Sequence, residues 1–502
     1  MQAVSDFNLR RIDIRYLAVT ASLLISFLMR VFPSSLNDDS YVYIRTAQIF
    51  LDQGIEAAVS HYSWPVFSIL IALVSKIGLN LFSSAFLISS LFFALLTFAL
   101  LSIVKVIDSD RTTLAVAAVC ILVFPELNEY RSMIIRDVAF WSLLSFSLWQ
   151  LLLYTKYQLL THCIGFSASL ILATAFRVEA LAYLIVIPLV HIIFTSTKEL
   201  RKPYYKLFYV SGLILFFLTI SLLAFKIDVV AQIVDIVSKY QPFIESLTSS
   251  NLQRTQALSV AIFGKYAANY SNDFVGVFII SGLFSLLIVK IIIGIGAPLF
   301  FFVIAKPTGH RVKIDRSTVL TLSSYFFVNF SIVTIFIFVT RYLPGRHTMV
   351  LSLVVLIFIS LLVKNLLYSP STWKPLLIRA ASCFLLFYCA TDSYYSFGHK
   401  KNYISDAVQW LDQTSPSSQI LLTNNHAIAY KSGRVKNYDQ VPRNLSGEEI
   451  LDVEESALLV VEMNSSMNVL MAQLIDNGVI HFEIGFPTGE EPRIAIYSKA
   501  RN

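Results

Sequence analysis

Charge is what this chain has least of. Only 14% of its 502 residues are Asp, Glu, Lys or Arg, while 56% are hydrophobic; soluble domains carry roughly a quarter charged residues. A surface so poor in charge is not that of a soluble globular protein, and a polytopic membrane protein is expected. Cysteine is scarce too: Cys120, Cys163, Cys383 and Cys389 all fall in apolar runs without ligand-like spacing. That excludes a disulfide framework and a cysteine metal site, and reads as small core residues. No nucleotide-binding or Rossmann motif is visible, and there is no low-complexity tract. The lack of an internal repeat counts against transporter folds built from duplicated halves. Basic residues outnumber acidic ones, 39 to 32. In a membrane protein such an excess marks cytoplasmic loops, so nucleic acid is not an expected partner.

A span requires about 20 apolar residues, fewer when it is kinked. By that measure spans are expected near 16–34, 82–104, 112–125, 138–154, 160–176, 180–195, 207–225, 276–304, 318–339, 347–363 and 376–396. The first follows Arg10, Arg11 and Arg15, is long and lacks a small-residue cleavage site, so it reads as a signal anchor with its N-terminus inside rather than a cleaved leader. Lys105/Arg111, Lys156, the Lys198–Lys202 cluster, Lys306–Arg316 and Lys364–Lys374 then fall on the cytoplasmic side. The Asp38-Asp39 doublet, the Glu126–Asp137 loop, the long 226–275 loop and Arg341–Arg346 fall on the other. This alternation requires that the short segment Trp64–Ile77, which carries Lys76, be a juxtamembrane or re-entrant helix. Tyr43–Gly54 mixes apolar residues with Arg45, Gln48, Asp52 and Gln53, as does a helix lying in the interface.

From about Phe397 the pattern changes. Helices are expected at Tyr403–Leu411 and Ser466–Asp476, and strands at Gln419–Thr423, Leu458–Val461, Val479–Ile484 and Arg493–Tyr497. This alternation implies a small extracytoplasmic α/β domain over 397–502, after a helical membrane domain over 1–396.

The chemistry centres on Asn37-Asp38-Asp39-Ser40-Tyr41, where the chain leaves the first span. One reading is a plain helix N-terminus, with Asn37–Ser40 as its cap. The other is a reactive doublet in which one carboxylate is the base and its neighbour holds structure, a cation or the donor sugar. On the same expected face lie Arg136-Asp137 before one span, and Arg177 and Glu179 inside an apolar stretch. Charges so embedded either pair to hold the bundle or mark a site. Arg341, Arg346 and His347 flank a Pro-Gly turn, where guanidinium forks could cradle a phosphate or snorkel to lipid headgroups. Tyr41, His61, Trp64, Arg136 and Glu179 are candidate liners of the same cavity.

The order of these features resembles a GT-C glycosyltransferase. The likeness rests on Asp38-Asp39 after the first span, the interfacial helix ending Leu51-Asp52-Gln53-Gly54, the Trp64-Pro65 segment, Arg136-Asp137 and Arg341-Tyr342-Leu343-Pro344. It points to family 39, the group of protein O-mannosyltransferases and lipid A aminoarabinose transferases, and is strongest over residues 1–200. The resemblance implies a polytopic helical membrane enzyme of about 11 spans plus juxtamembrane helices, sited in a bacterial inner membrane with its site outside. It implies an acidic base or acceptor-orienting group at Asp38, with Asp39 the second choice, a further acid at Asp137 and a donor-phosphate contact at Arg177. The family's usual doublet is Asp-Glu, and its usual Lys-Pro is Trp64-Pro65 here; Arg341 or Arg346 would stand in for the missing lysine.

The implied reaction moves a sugar from a polyprenyl-phosphate donor to an extracytoplasmic acceptor, whether glycan, lipid or protein, with inversion. The donor carries its own leaving group, so no nucleotide is needed. A divalent cation held by Asp38, Asp39 and Asp137 is left open, with arginines alone as the other possibility. Two further classes stand beside this one: a polysaccharide polymerase or ligase, and a transporter or flippase that would use Arg177 and Glu179 for translocation.

Overall fold

The computed structural model describes residues 12–31, 36–195, 197–224, 252–304, 314–368, 373–394, 402–489 and 491–500, with the isolated residues 234, 238 and 241. In chain order the helices of the apolar part are α1 (Ile14–Val31), α2 (Asp38–Gln53), α3 (Ile55–His61), α4 (Val66–Ser75), α5 (Leu81–Ile107), α6 (Arg111–Leu122), α7 (Pro125–Glu129) and α8 (Asp137–Tyr157). They continue as α9 (Leu160–Thr174), α10 (Ala180–Phe194), α11 (Lys198–Ala224), α12 (Leu252–Ser271), α13 (Val275–Ile295), α14 (Ala297–Ile304), α15 (Arg316–Thr340), α16 (Gly345–Leu367) and α17 (Trp373–Tyr394).

Among the described residues six helices are long and apolar enough to cross a membrane, or seven if α6 and the segment from Pro125 to Ser132, bent by 50°, form one span. These include α5, α8, α15 and α16, close to the expected spans. Several expected spans differ. The stretch expected over 276–304 is broken at Gly296, whose φ of 82° only glycine adopts readily, into α13 and α14. The stretches expected over 160–176 and 180–195 are the short helices α9 and α10, of 15 residues each. The basic run Lys198–Lys202, expected as a loop, forms the first turns of α11, where Arg201 Nε donates to the Thr195 carbonyl at 2.8 Å. Of the loop expected over 226–275, residues 252–271 are helical, and nearly all of 225–251 lies outside the described residues. So do most of the 306–316 loop and the junction at 395–401.

The segment Trp64–Ile77 carries only the ten-residue α4, too short to span. Helix α2 starts earlier than the expected amphipathic stretch, at Asp38, and buries Tyr43, Ile44, Ala47 and Ile49. Tyr43 meets Tyr62 and Phe67 edge-on, with centroids 5.6 and 5.3 Å apart. Gly54, with φ 88°, ends α2 and lets the chain turn directly into α3. The centre of the bundle is built from α5, α8 and α9, lined by small residues such as Ser84, Ala85, Ala139, Ser142 and Ser167 that let helices approach closely.

The C-terminal unit follows. It comprises α18 (Asn402–Thr414), β1 (Leu421–Thr423), α19 (His426–Ser432), α20 (Gly447–Asp452), β2 (Leu458–Glu462), α21 (Ser465–Asp476), β3 (Ile480–Phe486) and β4 (Ile494–Lys499). The four strands form one sheet in the order β1-β2-β4-β3, with β1 parallel to β2 and the other pairs antiparallel. The strands and two helices read from the sequence lie within three residues of these bounds. Helices α19 and α20 lack a long apolar period; they are set by local caps, with Asn425 accepting from Ile428 N and Ser446–Glu449 closing a capping box.

Candidate functional site

Eight of the polar residues named above, Asp38, Asp39, Arg136, Asp137, Arg177, Glu179, Arg346 and His347, lie at one end of the bundle. The starts of α2, α8, α10 and α16 converge there, so the positive ends of four helix dipoles face a common region. Ser40, buried in the first turn of α2, binds the backbone of Ile134 on both sides, at 3.3 Å each. That bond sets the start of α2 against the start of α8, and brings Asp38 and Asp39 near Arg136 and Asp137.

Asp38 and Asp39 occupy the first turn of α2. Asn37 holds the cap position, but its side chain makes no cap bond to the helix backbone and instead accepts from Ser40 Oγ. Their charge suits a helix N-terminus, yet the two carboxylates differ. Asp38 is exposed and has no ion pair among the described residues; Asp39 accepts from Arg346 Nη1 at 2.5 Å. Adjacent in sequence, they have separate environments.

Behind them lies a second, drier group. Asp137 and Arg177, 2% and 8% exposed, form a direct ion pair. Arg177 reaches Glu179 through Nη2 at 2.5 Å and Nε at 3.2 Å, and donates to His347 Nδ1 at 2.9 Å. Its charge lies 5.5 Å from the ring of Phe140. Because a guanidinium only donates, His347 Nδ1 is the acceptor and the ring proton sits on Nε2. Phe336 stacks on that imidazole at 4.2 Å. In the turn between α9 and α10, burial works to raise the Glu179 carboxyl, but the Arg177 charge and hydrogen bond outweigh it and hold the acid well below its usual range. Arg177 thus joins three groups, and Arg346, one residue before His347, links this set to the doublet.

Arg136 is the arginine with capacity to spare. It lies over Tyr62 and Trp64, at 5.5 and 5.9 Å, and its Nη1 is shielded from solvent without a hydrogen-bond partner. Arg131, five residues earlier, shows the contrast: buried against Phe93, it spends its donors on Ser22, Ser26 and Asn128 and is structural. An unpaired guanidinium nitrogen is a donor still available to an oxyanion.

The remaining candidates are spread around this centre. Arg341 is the exposed C-cap residue of α15, in left-handed backbone with φ 62°. Tyr41 is 2% exposed and packs on Phe82 and Tyr430, in the seam between the membrane part and the C-terminal unit. His61 accepts or donates at Thr46 Oγ1, 2.8 Å away, and its Nε2 lies 3.3 Å from Asp439. Among the described residues no group of three His, Cys, Asp or Glu is placed to hold a metal ion; Asp39 and Asp137 each face a guanidinium.

From its position alone the C-terminal unit reads as a platform for an acceptor or partner, but sequence reasoning named none of its residues for the site. Asp439 takes a two-pronged bond from Arg45 on α2, at 2.9 Å each. These partners are 394 positions apart, so no local pattern could have joined them. The Arg45 hydrogen bonds hold the Asp439 carboxyl below its usual 3.8 against the opposing effect of burial. A depressed acid stabilises above its unfolded pKa, and that contribution fades as pH falls through the lower folded value. The contact is therefore expected to be intact at neutral pH and lost in strong acid. Asp439→Asn should cost no more than about 1 kcal/mol, since both groups are partly exposed. Denaturation midpoints at pH 7 and pH 3 check this: the wild type should approach the variant at the lower pH.

No family model matches the chain, and no curated protein does. Among solved structures, it is similar to ArnT from Cupriavidus metallidurans in the apo state, with 11% identity and a TM-score of 0.43 over 96% of this chain and 97% of that one. The same protein bound to undecaprenyl phosphate gives 11% identity and 0.41, with the same coverage. The arabinofuranosyltransferase AftD from Mycobacteria gives 12% identity and 0.45, over 97% of this chain and 40% of that one. Likeness this distant assigns no activity.

Proposed function

We propose that this protein is a membrane glycosyltransferase that moves a sugar from a polyprenyl-phosphate carrier to an acceptor hydroxyl on the extracytoplasmic face. The observation that carries the reading is the pairing of an exposed carboxylate, Asp38, with a set of arginines at the same bundle end; among the described residues Asp38 has no ion pair and Arg136 keeps a buried nitrogen without a hydrogen-bond partner. A base and a phosphate-binding group are the two things this transfer needs.

In the proposed reaction the acceptor hydroxyl gives its proton to Asp38, and its oxygen attacks the anomeric carbon. The bond from that carbon to the phosphate oxygen breaks, and its electron pair leaves with the polyprenyl phosphate. Arg136 and Arg346 receive the charge that grows on the departing phosphate, the role that positioned donors perform most effectively. Arg177 is already engaged by Asp137, Glu179 and His347; it keeps the cationic wall rigid and orients His347. Direct displacement inverts the anomeric carbon. Asp39, held by Arg346, fixes the arginine and leaves Asp38 free to act.

Purified full-length protein in lipid vesicles, given radiolabelled polyprenyl-phosphate sugars, is expected to release polyprenyl phosphate and transfer label without any ion or potential gradient. Label that only crosses the bilayer, with the glycosyl phosphate bond intact, would sink the transferase reading and favour a flippase.

A further inference from the structure

Resting on the transferase reading, we infer that the C-terminal unit supplies the acceptor half of the site, with His426 and Tyr438 binding a saccharide hydroxyl opposite the doublet. Helix α19 lies against α2. Its Tyr430 packs on Tyr41 and Phe82, at 5.5 and 5.6 Å, one turn below Asp38. His426 is four residues before Tyr430, so it emerges on the same face of α19. There it experiences the charges of Asp38 and Asp39 and lies near His61. Tyr438 adjoins it, with ring centroids 5.8 Å apart, and is itself held over Arg45 at 6.0 Å.

The mounting is rigid. Asn424 exchanges bonds with the backbone of Glu462, and Asn425 caps α19 while donating to the Glu462 carboxylate at 2.7 Å. Yet the two groups so mounted are unfinished. His426 Nδ1 and Tyr438 Oη are both shielded from solvent, and among the described residues neither has a hydrogen-bond partner. A buried polar atom without a partner destabilises the fold unless a molecule from outside supplies the bond. Two such atoms on adjacent rings, His426 within reach of the doublet's charge and Tyr438 beside Arg45, suit a ligand with several hydroxyls on one edge and an apolar C–H face for the tyrosine ring. That is the surface of a sugar ring. The carrier phosphate, by contrast, belongs with Arg136 and Arg346, at the starts of α8 and α16.

The test uses the full-length protein in vesicles with a polyprenyl-phosphate sugar as donor and octyl glycosides as acceptor probes. Tyr438→Phe and His426→Leu each remove an unpartnered atom, so a purely structural role predicts unchanged or higher thermal stability and unchanged kinetics. The expected result is an acceptor KM raised about tenfold or more, the effect of one lost hydrogen bond, with undecaprenyl phosphate binding and thermal stability retained. Unchanged acceptor KM in both variants overturns the assignment, as does a KM rise accompanied by loss of undecaprenyl phosphate binding. A wild type that consumes donor but glycosylates none of the octyl glycosides overturns the saccharide class. A wild type that consumes no donor at all overturns the transferase reading itself.

Discussion

Asp38→Asn is expected to lower sugar transfer at least about a hundredfold, the usual cost of removing a general base, while leaving donor binding intact. The expectation follows from the asymmetry of the doublet. Asp38 is exposed and has no ion pair among the described residues, whereas Asp39 is bonded to Arg346. A base must have a lone pair free for the incoming proton, and a carboxylate already committed to a guanidinium is a poorer one. Asp39→Asn is therefore expected to act through Arg346, weakening donor binding more than turnover. Initial rates and donor affinity in membranes supplied with radiolabelled polyprenyl-phosphate sugar separate the two. If Asp39→Asn alone abolishes turnover, the roles are exchanged. If both variants transfer normally, the doublet serves only as favourable charge at the start of α2, and the mechanism fails.

Arg177→Met is expected to be the most destabilising single change in the site. It would leave Asp137, 2% exposed, without its ion pair, and would strip Glu179 and His347 of their shared donor. Breaking a buried pair from one side typically costs about 3–5 kcal/mol because the remaining charge is uncompensated. Arg177→Lys keeps the charge but cannot hold three partners, since a single ammonium lacks the planar fork. The double variant Arg177→Met, Asp137→Asn should recover much of the loss, because it removes both charges. Midpoints of thermal unfolding in detergent for wild type, Arg177→Met, Asp137→Asn and the double variant give the coupling directly. A double variant no more stable than Arg177→Met would show that the pair is not what the turn between α9 and α10 depends on.

The same reasoning explains which residues could be read in advance. The charged residues Asp38, Asp39, Asp137, Arg177 and Glu179 stood out because ionisable groups in or beside apolar stretches are costly, and each must be paired or used. Their partnership could be suspected, but the particular bonds could not. Arg346 chooses Asp39 and Arg177 chooses Asp137 across 307 and 40 positions, choices made by how helix ends meet. Tyr41 illustrates the opposite outcome. Its place one turn below Asp38 on the same helix face suggested a cavity, but there the face is closed by Phe82 and Tyr430, brought in from distant parts of the chain.

The sequence by itself determined the membrane class, the main long helices, the sheet-bearing end and the short list of charges from which a site could be made. These follow from hydropathy and from periods of 2 and 3.6 residues, which are local quantities. Only the tertiary structure decided that α13 and α14 part at Gly296, that Arg131 is spent on structure while Arg136 keeps a nitrogen unpaired, and that His426 and Tyr438 adjoin one another beside α2. The physical reason is common to all three. Whether a polar group is satisfied depends on neighbours brought in from elsewhere in the chain, and no window of sequence contains them.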